Sequence, residues 1–438
     1  MACCRLSHHY VHSFWTDLFG LGRRFRAGPR VGSKLWSSQL PTKTQNCPVT
    51  LCKKGYSKLL NFTKSDPSDT AQVMALQNSS PISSYEEREI QSVSDEFSKR
   101  THIDPSNNRV MIVDGTAIMY RSYYKLLAKL QHGLLEHADG NGDWVLTIFT
   151  ALSLLFDVLE FIPSHVAVVF DHDGVPFGHT TSMPSKECYM AKGSTFRHML
   201  YPSYKSNRIP TPDTVVQGLQ YLKASIKAMS IKVIEVPGVE ADDVVGTLAI
   251  NSVSAGYKVR VVSPDKDFFQ ILSPSLRLLR IAPRGSGMTS FGLEDFAKRY
   301  GALKPSQFVD VVALAGDKSD NIPGVEGIGD VIAIKLITKF GSLENLLQSV
   351  DQVEEERIKQ ALMSNAELAL LCKDLATLRS DLPSYMVPFK TSDLVFQKPQ
   401  DSGEKFITLL RALGAYAEGF SADPIIRRAS YLWNKLNT

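Results

Sequence analysis

The chain has 438 residues, of which 43% are hydrophobic and 21% are charged, and its formal net charge is +4. This length allows two or three domains with a substantial core, and no run of about 18 apolar residues suggests a membrane span. The six cysteines follow neither a disulfide framework nor a zinc spacing, which indicates a reducing compartment.

The positive charge is concentrated in residues 1–65. They contain 11 Lys and Arg but only one acid, Asp17, which leaves the rest of the chain slightly acidic, with 38 basic and 44 acidic residues. A leader rich in Arg and Ser and nearly free of acids is typical of an organellar transit peptide, so we expect a mitochondrial and/or chloroplast location. The alternative is a basic arm that binds nucleic acid. Residues 66–108, rich in Ser, Asp, Glu and Asn, are predicted to be a linker.

Strand and helix patterns alternate from Arg109 onward. Strands are predicted at 110–113, 165–171, 231–236, 258–263 and 276–281, and helices near 144–162, from Ala241 and after Lys266. This alternation predicts an α/β fold with a mostly parallel central sheet flanked by helices, over residues 109–290. The loop 172–212 is predicted to form a small helical arch, residues 291–425 a helical region, and residues 426–438 a C-terminal tail.

Acidic residues follow nearly every predicted strand. Because ligands of open α/β sheets bind beyond the carboxyl ends of the strands, we expect these acids to converge at one rim. The predicted rim acids are Asp114, Asp171, Glu240, Asp242, Asp243, Asp265, Asp267, Asp317 and Asp320. Any one of them is readily explained as a helix cap or an Asx turn. Nine together would repel one another unless cations neutralise them.

The ligand type narrows the choice of cation. A set of oxygen ligands without paired His or Cys favours Mg²⁺ or Mn²⁺ over zinc or copper. Nine carboxylates exceed the need of one ion, so two or more are expected, and such pairs typically serve phosphoryl transfer.

Two further segments are candidates for holding a phosphate-containing substrate. Gly324, Gly327 and Gly329 predict a tight turn that leads into a helix with Lys335, a unit that can hold a nucleic-acid backbone without reading bases. In the predicted arch, the candidate DNA contacts are Arg197, Tyr204, Lys205 and Arg208, with Tyr204 placed to stack on a base. The alternative interpretation of the arch is a solvated basic loop.

Several strings in this order resemble the 5′ nuclease domain of bacterial DNA polymerase I and its flap endonuclease relatives. The strings are "VDG" at 113–115, "VFD" at 169–171, "FRH…YPSYKSNRIPTP" at 196–212, "VPGVEADDVVGTLA" at 236–249, "SPDKDFFQIL" at 263–272 and "ALAGDKSDNIPGVEGIGDVIAIKLITKFGSLENLL" at 313–347. The resemblance implies a PIN-like α/β core with a helical arch and a helix–three-turn–helix, and cleavage of 5′ flaps and nicked or gapped ends with Mg²⁺ or Mn²⁺.

The resemblance also assigns roles by position. Ligands of a first metal would be Asp114, Asp171, Glu240, Asp242, Asp243 and Asp265, and those of a second Asp267, Asp317 and Asp320. Lys205 and Arg208 would contact the scissile phosphate as catalytic residues. The Gly324 to Lys335 turn would grip the downstream duplex, where the family often also holds a potassium ion. The segment between Asp171 and Phe196 is longer than expected for the family.

The resemblance and the leader together predict a stand-alone, Mg²⁺-dependent 5′-3′ nuclease of the plant organellar type, acting in DNA replication and repair. The expected partner is double-stranded DNA with a 5′ flap, nick or gap, and the protein is expected to be a monomer, independent of membranes, that works beside an organellar DNA polymerase. Two alternatives remain, a structure-specific DNA-binding protein without catalysis and a ribonuclease that uses the same acidic site.

Overall fold

A computed structural model describes residues 108–135, 142–172, 195–281, 287–417 and 419–436. The predicted transit peptide and nearly all of the predicted linker lie outside these residues, as does the segment 173–194 of the predicted arch. None of the described helices has the length and apolar character needed to cross a membrane.

Six strands within the described ranges form one sheet in the order β3-β2-β1-β4-β5-β6. They are β1 (Arg109–Asp114), β2 (His165–Phe170), β3 (Lys232–Glu235), β4 (Lys258–Val262), β5 (Leu276–Ile281) and β6 (Met288–Phe291). The first five are parallel, and β6 pairs antiparallel with β5. This confirms the predicted mostly parallel α/β sheet. The sequence did not predict β6, since this four-residue edge strand is largely exposed and has no apolar run.

Thirteen α-helices occur in the described part of the chain. They are α1 (Gly115–Gln131), α2 (Asp143–Leu159), α3 (Phe196–Leu200), α4 (Asp213–Ala228), α5 (Ala241–Ser254), α6 (Leu293–Tyr300), α7 (Phe308–Ala315), α8 (Asp330–Phe340), α9 (Leu343–Gln348), α10 (Glu356–Ser364), α11 (Ala366–Ala376), α12 (Glu404–Gly414) and α13 (Asp423–Leu436). Short 3₁₀ helices lie at Asp267–Ile271, Pro305–Gln307, Val350–Gln352 and Thr391–Leu394.

Both faces of the sheet are covered, and the alternation of side chains along β1 shows how. Val110 and Ile112 point into one core, which they share with α5 and the helices α6 to α11. Met111 and Val113 point into the other, which they share with α1, α2, α4, α12 and α13. Because successive strand residues face opposite sides, a fully apolar strand such as β1 fits only between two covering layers.

The C-terminal segment departs from the prediction. Residues 426–438 were predicted to be a tail, but α13 extends through Leu436 and packs on α2. Its buried residues recur with helical spacing, at Ile425, Ile426, Ala429, Leu432 and Trp433. This stripe covers the sheet face on the α2 side, so the segment is part of the core.

Candidate active site

Most of the predicted acids meet at the carboxyl edge of the sheet. Asp114 is the last residue of β1, Asp171 follows β2 directly, and Asp265 lies three residues beyond β4. The strand order runs outward in both directions from the β1–β4 pair, which is the position where open α/β sheets bind ligands.

Asp114 and Asp171 each use one oxygen to order the backbone. Asp114 caps α1, because its Oδ1 accepts a hydrogen bond from the Ala117 amide at 2.8 Å. The Asp171 Oδ1 accepts one from the Ala241 amide, at the start of α5, at 2.9 Å. Bonds to the starts of the two helices therefore account for one oxygen of each residue.

Five acids at this edge, Asp171 among them, have no basic side chain within ion-pair distance among the described residues, and four of them have clearly raised pKa values. We call Asp114, Asp242, Asp265 and Asp267 the uncompensated acids. Burial and the charges of Asp171 and Asp265 raise the pKa of Asp114 to about 7. Burial, followed by the charges of Asp114 and Asp265, raises the pKa of Asp242 well above its usual value. Such shifts mean that the site disfavours its own negative charges.

The two uncompensated acids that follow β4, Asp265 and Asp267, also have raised pKa values. Burial raises the pKa of Asp265, with Asp320 and Asp317 adding to the effect. Burial and the charge of Asp265 raise the pKa of Asp267 well above its usual value. The Asp267 Oδ1 is enclosed and has no hydrogen-bond partner in the described structure. A buried acceptor without a partner is costly, so this atom fits a cation ligand.

The donor set also fits a hard divalent ion, since all four uncompensated acids offer carboxylate oxygens. Within the described ranges, no three acidic, His or Cys side chains are arranged so that together they could hold a metal ion directly. Mg²⁺ commonly binds through only one or two carboxylates and keeps several waters, so its sites do not require three direct protein ligands.

Two other acids are neutralised by the base of the predicted arch. Lys205 Nζ lies 2.8 Å from Glu240 Oε2 and 3.6 Å from Asp320 Oδ2. Arg208 donates to Asp320 Oδ1 at 2.6 Å, and its side chain is 56% exposed. Burial alone would raise the pKa of Glu240 and Asp320, but Lys205 lowers both, helped by Arg197 at Glu240 and by Arg208 at Asp320. The structure thus brings Lys205 and Arg208 to the acidic rim.

Asp317 has a different cation. Lys266, from the loop after β4, places its Nζ 3.2 Å from Asp317 Oδ2. The backbone of Asp317 pairs with that of Ile322, which closes the acid loop, a name we give to residues 317–322.

Arg197 and Asp243 form a buried pair, which corrects two predictions. Arg197 is 4% exposed and donates to both Asp243 oxygens, at 2.7 and 2.8 Å, and to the carbonyls of Leu375 and Thr377. Arg197 is therefore not available to bind DNA. Because Arg197 occupies both oxygens of Asp243, the structure does not place Asp243 with the predicted metal ligands.

Tyr204 was predicted to stack on a base, and this is wrong. Only 3% of the residue is exposed, and its hydroxyl donates to Glu240 Oε2 at 3.2 Å and Asp320 Oδ2 at 3.0 Å. The apolar ring fills the core beneath the arch, while the hydroxyl orders the two neutralised acids.

The predicted glycine turn connects α7 to α8. Gly324 is buried at φ +68°, and a Cβ there would lie 2.5 Å from the Gly316 nitrogen, so this glycine serves packing and does not face a ligand. Gly327, Gly329 and Lys335 are exposed, as expected for a surface that binds a backbone.

Sequence reasoning missed Ser263 at this site. Its hydroxyl donates to Asp114 Oδ2 at 2.9 Å and accepts from the Asp265 amide at 3.2 Å, so it connects the ends of β1 and β4. Its place directly after a buried strand was the available signal. Lys266 was also missed, although it stands between Asp265 and Asp267 in the sequence.

Two models of one family match adjoining parts of the chain. The N-terminal resolvase-like domain of the 5′-3′ exonuclease family matches residues 183–301, and its C-terminal SAM fold matches residues 303–402. The chain belongs to the 5′-3′ exonuclease family. This confirms the resemblance inferred from the sequence motifs.

Curated relatives in this family are bacterial DNA polymerases. DNA polymerase I of Bacillus caldotenax is 33% identical over 308 residues, which cover 70% of this chain and 31% of that protein. The thermostable DNA polymerase I of Thermus caldophilus is 37% identical over 276 residues, covering 63% of this chain and 29% of that protein. The chain thus spans about three tenths of the length of these relatives.

Solved structures with similar folds are more distant in sequence. The bacteriophage T5 D15 protein, co-crystallised with metal ions, is 20% identical, with a TM-score of 0.48 over 71% of this chain and 100% of that one. The catalytic core of Rad2, in complex with a DNA substrate, is 15% identical, with a TM-score of 0.45 over 77% of this chain and 94% of that one.

Proposed function

We propose that this member of the 5′-3′ exonuclease family is a structure-specific 5′-3′ exonuclease and flap endonuclease that hydrolyses DNA phosphodiesters with divalent metal ions. The observation that carries the proposal is the group of four uncompensated acids at the carboxyl edge of the sheet. Four buried carboxyls with raised pKa values lie together in this fold, and bound cations would stabilise their ionised form.

Asp114, Asp242, Asp265 and Asp267 would hold Mg²⁺ or Mn²⁺, with Asp171, Asp317 and Asp320 beside them. A pair of such ions, when bound, supplies stabilisation of both the attacking and the leaving oxygen of an in-line phosphoryl displacement. In the reaction, a water oxygen bonds to phosphorus and the leaving ester oxygen departs with a proton.

The protein's own cations would position the scissile phosphate. Lys205 and Arg208 are held at the rim by ion pairs with Glu240 and Asp320. From this position, their ammonium and guanidinium groups could bind the phosphate oxygens of a substrate instead. The exposed Gly327, Gly329 and Lys335 would hold the duplex backbone away from the acids, with a potassium ion at this turn as a further proposal. Binding and chemistry would therefore lie on separate elements.

The test uses a duplex with a labelled 5′ flap, incubated with Mg²⁺ and with EDTA. Asp265→Asn should abolish cleavage and leave flap binding measurable, whereas Asp381→Asn, at a carboxylate that is 75% exposed, should cleave like wild type. If wild type binds the flap but leaves it intact with Mg²⁺ and with Mn²⁺, the chain is a DNA-binding protein without catalysis. Faster cleavage of the same flap made of RNA would identify a ribonuclease.

We also propose that this activity serves DNA replication and repair in mitochondria and/or chloroplasts. The composition of residues 1–65 supports this location. Imaging a fluorescent protein fused to residues 1–65 tests it, and a diffuse cytosolic signal would contradict it.

A further inference from the structure

Two loops that are far apart in the sequence meet at the candidate site. The first, residues 203–208, carries Lys205 and Arg208, and we call it the cation loop. The second is the acid loop. The Lys205 amide donates to the Asp320 carbonyl at 2.9 Å, so the backbones of the two loops are in direct contact.

Two asparagines tie these loops together in both directions. Asn207, in the cation loop, donates through Nδ2 to the Lys318 carbonyl at 2.6 Å. Asn321, in the acid loop, donates through Nδ2 to the Ser203 carbonyl at 2.7 Å and to Ser206 Oγ at 3.2 Å. Each amide therefore reaches across to the other loop.

The backbone at this contact adopts an uncommon conformation. Lys205 and Asn321 have φ values of +55° and +56°, in the left-handed region. Asn tolerates this region better than most residues, but Lys does not. Such conformations persist only where the surroundings fix them, which indicates that the contact between the loops is specific.

Besides the backbone bond from Lys205 to Asp320 and the hydrogen bond from the Tyr204 hydroxyl to Asp320, the remaining ties between the loops use the cations proposed for catalysis. Arg208 pairs with Asp320, and Lys205 lies between Glu240 and Asp320. These ion pairs must loosen when a phosphate takes over the two cations. The asparagine bonds use neutral donors and backbone or hydroxyl acceptors, so they can persist during the reaction.

We propose that Asn207 and Asn321 are positioning residues that lock the cation loop onto the acid loop. The two loops then behave as one body, which keeps the phosphate-binding cations in register with the acids at the rim. If a group that positions the substrate is displaced by about 1 Å, the reaction rate can fall about 100-fold. This inference rests on the proposed nuclease function for its kinetic consequence, but not for its structural one.

The structural consequence is tested by amide hydrogen exchange. Asn321→Gly keeps the left-handed backbone and removes the side chain, and Asn207→Ala removes the opposite tie. Each variant should raise exchange in both loops, including at the Lys205 amide, and leave α5 unchanged. Matched controls are Ser230→Gly, at a φ of +60°, and Asn434→Ala, on an exposed position of α13. Exchange in the two loops equal to that of the controls would overturn the proposal.

The kinetic consequence is tested by single-turnover cleavage of the 5′-flap duplex. The variants should lower the cleavage rate about 10- to 100-fold, with the Kd for the flap within about two-fold of wild type, because the duplex grip lies on α8. The double variant should be little slower than either single one, since the loss of either asparagine already loosens the contact between the two loops. Control-like rates would contradict the positioning role. An inactive wild type would instead refute the proposed function, while the exchange result would still decide whether the loops are locked.

Discussion

The Arg197 guanidinium donates two parallel hydrogen bonds to the Asp243 carboxylate, at 2.7 and 2.8 Å, where neither side chain is more than 4% exposed. Arg197 lies in α3, at the base of the predicted arch, and Asp243 lies in the first turn of α5. The same guanidinium reaches the carbonyls of Leu375 and Thr377, at the end of α11. One side chain therefore connects the arch, the acid-bearing helix and the C-terminal helices.

Breaking this pair should destabilise the protein strongly. Arg197→Ala leaves Asp243 buried without its partner, and such losses typically cost about 3 to 5 kcal/mol. Urea denaturation should show this decrease in the free energy of unfolding. Arg427→Ala, at an exposed position of α13, is the matched control and should change the stability by less than about 0.5 kcal/mol. A similar small effect at Arg197 would contradict the structural role.

Asp267→Asn should stabilise the protein in EDTA and remove its response to Mg²⁺. The substitution removes one ionisable group from the uncompensated acids, where burial and then the charge of Asp265 raise the pKa of Asp267. Thermal unfolding with EDTA and with Mg²⁺ should show a higher Tm for the variant without metal and a smaller rise on addition of metal. Asp381→Asn is the control, and it should keep the full Mg²⁺ response of wild type. Failure of Mg²⁺ to raise the Tm of wild type would refute the metal assignment.

Without metal, the stability should fall as the pH rises from 5 to 7. The pKa of Asp114 is raised from 3.8 to about 7 in the folded state, chiefly by burial. Between these values the native state binds more protons than the unfolded state, so raising the pH favours unfolding, by about 1.4 kcal/mol per pH unit for each such proton. Glu240 and Asp320 have lowered pKa values, so their titration changes the free energy of unfolding only at lower pH. Denaturation in EDTA across this range measures the slope, and Asp114→Asn should flatten it.

Arg208→Gln should reduce catalysis with little loss of stability. Its side chain is 56% exposed, and an ion pair at the surface such as that with Asp320 contributes only about 0 to 1 kcal/mol. If Arg208 passes to the scissile phosphate, single-turnover cleavage should slow by about 10- to 1000-fold. Lys227→Gln, on the exposed face of α4, controls for the loss of charge. Unchanged cleavage by Arg208→Gln would exclude a catalytic role.

Substitutions at two glycines of the turn should have different effects, on folding at Gly324 and on DNA binding at Gly329. Gly324→Ala places a Cβ 2.5 Å from a backbone nitrogen at φ +68°, so it should lower the stability by more than the about 1 to 2 kcal/mol of left-handed strain alone. Gly329→Ala meets nothing within 4 Å and has an ordinary φ of −96°, so it should fold normally. If the turn grips duplex DNA, Gly329→Ala should still weaken binding in a fluorescence anisotropy titration.

The strands and the rim were predictable because their signals are local. The apolar run at Val110 and the acid at Asp114 are adjacent in the sequence, and parallel strands bring their carboxyl ends to one edge in any sheet of this type. The edge strand β6 and the helix α13 were not predicted, since their pairing and burial depend on β5 and α2.

The roles of individual charged side chains depended on tertiary contacts. Lys205 and Arg197 are both basic residues of the predicted arch, and nothing in their local sequence distinguishes a rim cation from a buried one. The difference arises because Arg197 faces Asp243 and the carbonyls at the end of α11, more than 170 residues away in the chain. Tyr204 was misassigned for the same reason, as its ring packs in the core and its hydroxyl bonds to Glu240 and Asp320, far away in the sequence.

The α/β class, the family and the convergence of acids at one rim could all be predicted, because each follows from residue order and strand periodicity. Which acids are neutralised and which are left uncompensated became clear only from the folded arrangement of their side chains. Charge compensation depends on distances of a few ångströms between residues far apart in the chain, and burial increases the strength of the interaction between charges at those distances.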